Sequence, residues 1–175
     1  MAKILAKNLF DYLDGLGDLP QNSVFRVVLE GEFLSLYRIK LKTFGADEII
    51  QHYKISTSDI LALDQVKTSE LQNQSVLGRG VVGGLLFGPV GALLGGMSAT
   101  GKQKIKTTLA ISYLPSNGNE PKTVILADAA AWGGNNAVSI AKLKNELAKQ
   151  PKSERVVRYL GQTVNAVSYT HLTLP

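Results

Sequence analysis

Between Val81 and Thr100 the chain carries no charged residue. At the ~1.5 Å rise of a helix such a stretch is about 30 Å long, the thickness of a bilayer's hydrocarbon core. Glycine recurs every fourth residue at Gly80, Gly84 and Gly88, and again at Gly91 and Gly95. In a helix each set lies along one face and lets another backbone come close. Glycine costs a helix about 1 kcal/mol per residue against alanine, so such helices need a packing partner. Gly88-Pro89-Val90-Gly91 stands mid-stretch, where proline removes an amide donor and glycine tolerates positive φ. The pattern predicts two short helices that bend at Pro89, a helical hairpin inserted over residues 76–101. Each leg would be only ~13 Å long, too short to cross a bilayer alone. A hairpin inserted partway, or packed against copies of itself, is therefore favoured over a continuous span. Arg79 on one side and Lys102, Lys104 and Lys106 on the other suit a hairpin with both ends in the cytoplasm. The structural alternative is a hairpin folded over the domain's own core.

Outside this segment the hydrophobic period is mostly two. Phe25, Val27 and Leu29 alternate with Arg26 and Glu30, Gly31-Glu32 turns the chain, and Phe33 to Leu41 returns. Ile49 to Ile55 and Ile60 to Val66 supply two further strands. Beyond the glycines, Ile105 to Tyr113 alternates, Pro115-Ser116-Asn117-Gly118 turns, and Thr123 to Ala127 runs back. If the strands flanking the insertion share one sheet, the segment must make an even number of passages through any membrane. Asn135 or Asn136 is placed to cap a helix from Ala137 to Lys149 that Pro151 ends. Leu5, Leu9, Tyr12 and Leu16 have helical spacing, which predicts an N-terminal amphipathic helix within residues 1–20. Six strands and a terminal helix without βαβ alternation predict an α+β domain or a small barrel capped by a helix, spanning residues 21–150, followed by a basic tail at 151–166.

Composition closes several avenues. With 175 residues and 45% apolar content, one domain with one core is expected. The absence of cysteine excludes disulfides, thiolate zinc sites and cysteine nucleophiles. His52 is the only histidine before the last residues of the chain, so neither a histidine-paired triad nor a multi-histidine metal site can be assembled. Asp11, Asp14 and Asp18 resemble a calcium loop only loosely and read as turn and cap residues. Gly96 to Gln103 nearly spells a phosphate-binding loop, but Gln103 replaces the required hydroxyl and a strand follows where a helix is needed. Trp132 beside Gly133-Gly134 reads as core cover before it reads as a membrane-interface anchor. A net charge of +5 is spread along the chain, and the cluster Lys149, Lys152, Arg155 and Arg158 reads as a solvated helix end, so nucleic acid is not expected as a partner. Residues 1–20 lack the uninterrupted apolar run of a secretory signal, which places the domain in the cytoplasm. Residues 167–175 resemble one translated reading frame of a sequencing adapter, so the native chain is expected to run to about Ala166.

The run Ser75 to Gly80, continuing through Gly88-Pro89-Val90-Gly91-Ala92 to Gly95-Gly96-Met97-Ser98 and a strand ending in Tyr113, is similar to a family of small bacterial proteins. In these a PH-like β-domain is interrupted by a glycine-zipper hairpin, and some carry a short oligomerisation helix afterwards. The likeness covers about Phe25 to Lys149. It implies a partly open antiparallel barrel with a C-terminal helix, membrane contact or self-association, no cofactor and no enzymatic activity. The sequence thus leads to a non-enzymatic module that associates through Gly80, Gly84, Gly88, Pro89, Gly91 and Gly95, cytoplasmic and peripheral on the inner face of the membrane or a homo-oligomer. A second reading is a soluble adaptor that takes a protein or peptide on its sheet, with the hairpin purely structural.

Overall fold

The computed structural model describes residues 9–20, 23–67, 107–128 and 136–170, with backbone alone for 66, 67, 107 and 163–170. Seven strands form one antiparallel sheet: β1 (Leu9–Asp14), β2 (Val24–Glu30), β3 (Phe33–Lys40), β4 (Glu48–Ser56), β5 (Ile60–Lys67), β6 (Thr107–Tyr113) and β7 (Lys122–Asp128). Two helices follow, α1 (Ala137–Ala148) and α2 (Glu154–Thr170). The architecture is α+β, as expected.

The spatial order is β4-β3-β2-β1-β7-β6-β5, so β4 and β5, consecutive in sequence, lie at opposite edges. One turn of 3-10 helix, Thr57–Asp59, is all that joins them. In a flat sheet these edges would stand about 29 Å apart, at ~4.8 Å per strand. The four residue steps from Ser56 to Ile60 reach at most ~14 Å. The sheet must therefore curl until its edges meet at this corner, which encloses the core.

Inward residues come from every strand: Phe10 and Tyr12, Phe25 and Val27, Leu34 and Leu36, Ile55, Ile60 and Leu63, Leu109 and Ile111, Val124 and Leu126. Ile140, Leu143 and Leu147 of α1, spaced i, i+3, i+7, close the same cluster. The turn between β2 and β3 is Gly31-Glu32, with Gly31 at φ +59°, as a two-residue hairpin loop requires. Gly15, at φ +103°, lets the chain after β1 press against β7: a Cβ there would lie 2.0 Å from the Thr123 carbonyl oxygen.

Three local expectations are corrected. Residues Leu9–Asp14 form a strand and not part of a helix, while residues 1–8 lie outside the described residues. Phe10 and Tyr12 point into the core as a period-two pair, and the Tyr12 hydroxyl donates to the Gly17 carbonyl at 3.0 Å. Asn136 occupies the N-cap position of α1 without a side-chain capping bond. Its amide instead donates to the Leu9 carbonyl at 3.1 Å, tying the helix start to β1. The stretch read as a basic tail is α2, whose Val156, Tyr159 and Leu160 pack on Leu61, Ala62 and Leu114 outside the main core. Two of its cations are engaged: Lys152 Nζ donates to the Ile60 carbonyl at 2.9 Å, and Arg155 to the carbonyls of Pro115 and Gly118. The residues read as adapter continue α2 as far as Thr170, and 171–175 lie outside the described residues.

Candidate functional site

The base of the insertion is well defined. Lys67, last residue of β5, is the antiparallel partner of Thr107, first residue of β6, and the step before pairs Val66 with Thr108. Directly opposed residues in such a ladder are ~4.5–5.5 Å apart at Cα. Residues 68–106 thus leave and re-enter the sheet side by side, which is the condition assumed for an even number of passages. Every proposed contact residue, namely Gly80, Gly84, Gly88, Pro89, Gly91 and Gly95 with the flanking Arg79, Lys102, Lys104 and Lys106, lies outside the described residues. The inserted helical hairpin itself is likewise outside them, as are the near phosphate loop at 96–103 and Trp132.

Several chain ends gather at this end of the sheet. Asp128 closes β7 opposite Phe10, Leu9 opens β1, and Asn136 begins α1 beside it. Outward of the core, β6 and β7 carry a floor of small side chains: Thr108 opposite Ala127, Ala110 opposite Ile125, and Ser112 opposite Thr123. Their neighbours Leu109, Ile111, Val124 and Leu126 face the core, so these six face the other way. Thr108, Ala110, Ser112, Ile125 and Ala127 are all buried nonetheless. Asp11 on β1 is opposite Ala127 at the margin of this floor, and burial pushes its carboxyl above the usual range. Sequence reading passed over this floor, because Thr, Ala and Ser in a strand carry no label for what covers them.

The outer face of β2, β3 and β4 is different in kind. Glu30 accepts from Ser35 Oγ at 2.6 Å and from Tyr37 Oη at 2.8 Å. Those two hydrogen bonds hold its carboxyl below the usual carboxylate range. The Tyr37 hydroxyl moves the other way, raised first by burial and then by the hydrogen bond to Glu30. His52 stacks on Tyr37 with ring centroids 4.2 Å apart, Lys54 sits over Phe33, and Arg26 pairs with Asp47 at 2.7 Å. Asp14, read as a turn residue, accepts the Gly15 amide at 2.8 Å. Among the described residues no group of His, Cys, Asp and Glu is arranged to hold a metal ion, and no helix is long and apolar enough to cross a membrane.

A curled antiparallel sheet closed by a helix, with a glycine-rich insertion in the sequence between two paired strands, defines a PH-like module. Comparison with known proteins agrees: the chain belongs to the family described as glycine zipper containing PH domain, whose profile matches residues 22–124. Neither the curated proteins nor the solved structures contain a significant match.

Proposed function

We propose that this PH-like domain holds out residues 76–101 as a helical hairpin that associates with an anionic membrane surface or with the hairpin of a second copy. The supporting observation is the pairing of Lys67 with Thr107, which sets both ends of the insertion side by side on one body. From that base, Gly80, Gly84 and Gly88 on one leg and Gly91 and Gly95 on the other serve as close-contact positions, and Pro89 as the bend. Arg79, Lys102, Lys104 and Lys106 flank the base as cations suited to anionic headgroups. The role is non-enzymatic and needs no cofactor, and the site of action is the cytoplasmic face of the inner membrane. The adaptor reading draws on β4, an edge strand where Ile49 and Ile50 are exposed. That edge also carries a register shift beside Ile50 and an outward Lys54, devices that discourage strand addition.

The test is vesicle flotation and light-scattering mass on the full chain. We expect flotation with phosphatidylglycerol-containing vesicles, or a mass above the monomer, and a loss of either by about tenfold in the Gly84→Leu/Gly91→Leu double variant. A chain that stays monomeric and wholly in the vesicle-free fraction sinks the reading.

A further inference from the structure

We infer that the outer face of α1 is a docking surface for an anionic lipid bilayer. The molecule is electrically two-sided. Among the described residues, the sheet and its loops carry seven Lys and Arg against eleven Asp and Glu, a net charge of −4. The two helices and the turn between them, residues 136–170, carry six against two, a net charge of +4. A body charged in this way turns its helical side towards an anionic surface, while its sheet is repelled. Internal pairing does not neutralise the helical side. Lys144 pairs with Asp64 at 2.7 Å and Lys149 with Glu146 at 3.4 Å. Lys152 and Arg155 donate to backbone carbonyls, which leaves their charge whole. Lys142 and Arg158 are exposed, and the second acid of this layer, Glu154, stands in the first turn of α2.

Geometry picks out one stripe. Ile140, Leu143 and Leu147 bury one side of α1 in the core. Val138, Lys142, Asn145 and Lys149, spaced i, i+4, i+7 and i+11, run along the opposite side, and all four are exposed. Val138 is 65% exposed, an unusual place for a valine. Two cations and a bare valine without an acid make the face of a helix that lies in a membrane interface, with the cations at the headgroups and the valine at the acyl boundary. A nucleic acid would use the cations alone, and the stripe offers it neither arginine nor an aromatic ring. Position agrees with a membrane as well. Asn136 ties the start of α1 to the Leu9 carbonyl, and Lys144 ties its middle to Asp64 of β5, three residues before Lys67, where the insertion departs. The helix therefore flanks the root of the insertion. The inference rests on the reading above in taking a membrane as partner, but it makes no use of the glycine rows and can fail separately.

The test is partition of the full chain onto vesicles of phosphatidylcholine, with and without phosphatidylglycerol. Lys142→Gln/Lys149→Gln should weaken partition onto the anionic vesicles by about tenfold, and Val138→Ser by about threefold. Lys40→Gln/Lys122→Gln removes the same charge from exposed positions on the sheet and should change it by less than about twofold. Equal losses from the two lysine pairs overturn the inference, since net charge alone would then be at work. An α1 variant that partitions like the parent overturns it too, and if Gly84→Leu/Gly91→Leu abolishes partition at the same time, the hairpin reading stands without α1. Loss in the α1 variant with none in the glycine variant supports the inference and tells against the hairpin. Equal partition onto phosphatidylcholine alone, or tighter binding of a labelled oligonucleotide at the same ionic strength, overturns it. So does a light-scattering mass that falls in the α1 variant while partition holds, which assigns the stripe to a second copy. Near-ultraviolet circular dichroism checks that each variant is folded. A salt titration of the unchanged chain needs no substitution: partition that persists at ~1 M salt, where screening acts within about 3 Å, also overturns the inference.

Discussion

The two halves of the sheet share one core but present opposite outer faces. On β2, β3 and β4 the outward face carries the long polar side chains Arg26, Glu30, Tyr37, His52 and Lys54, which contact one another or their neighbours beside the buried Val28 and Ser35. On β6 and β7 they are short and uncharged, and they are dry. Long ionic side chains can lie along a surface and keep their heads solvated, so a face made of them needs no partner. Short ones cannot cover themselves. Side-chain length on the outward positions is thus as informative about a neighbour as hydrophobicity is on the inward ones.

The sharpest break of this contrast is a charge on the dry half. Ala110→Asp would set a carboxylate on the buried floor with Asp64 as its cross-strand neighbour. An unpaired buried charge costs more than about 3 kcal/mol. The same substitution at Ile50 on β4, where the side chain is 50% exposed, should cost under about 1 kcal/mol. Urea midpoints at constant m-value measure both, and equal costs would erase the distinction between the halves.

Next in size is the seam that joins the halves. Gly15 needs φ +103°, and a methyl group there would strike the Thr123 carbonyl of β7 at 2.0 Å. Backbone on both sides leaves no flexible group to yield, so Gly15→Ala should cost about 2–4 kcal/mol, the sum of left-handed strain and displaced packing. At Gly17, also at positive φ but with open space around it, alanine should cost about 1 kcal/mol. Thermal unfolding of the pair tests this order, and a milder effect at Gly15 would mean that β1 can part from β7 locally.

Much of this fold is legible in the alternation of the sequence. Phe25, Val27 and the Gly31-Glu32 turn mark β2 and β3, and the periods of Leu109 to Tyr113 and Thr123 to Ala127 mark β6 and β7. The misread elements share a cause, a competing period. In β1 the outward Leu9 and Leu13 are apolar too, so Leu5, Leu9, Tyr12 and Leu16 imitate a helix and hide the inward pair Phe10 and Tyr12. In and just before α2 the cations Lys152, Arg155 and Arg158 draw the eye from Val156, Tyr159 and Leu160, whose spacing is helical. Asn136 has the chemistry of a cap but meets a tertiary acceptor first, the Leu9 carbonyl, which no local rule foresees. The glycine rows are plain in the sequence, whereas the dryness of the outer face of β6 and β7 is not, because a small residue in a strand reads alike whether it faces water or another backbone.

The smallest expected effect separates the faces by the sign of a titration. Glu30, on the wet half, has its carboxyl lowered by bonds from Ser35 and Tyr37. It therefore contributes stability that is fully present above its ordinary value of 4.5 and is lost as pH falls through the lowered folded value. Asp11, at the margin of the dry half, is raised by desolvation from an ordinary 3.8. Between that value and its higher folded one the native state holds more protons than the unfolded chain, so Asp11 weakens the fold as pH rises through this window and the loss is recovered on acidification. Carboxyl NMR titrations should show the two groups displaced in opposite directions. Ser35→Ala with Tyr37→Phe should return Glu30 towards its ordinary value and leave Asp11 where it is. An Asp11 that shifted together with Glu30 in that variant would mean that the two faces share one electrostatic environment.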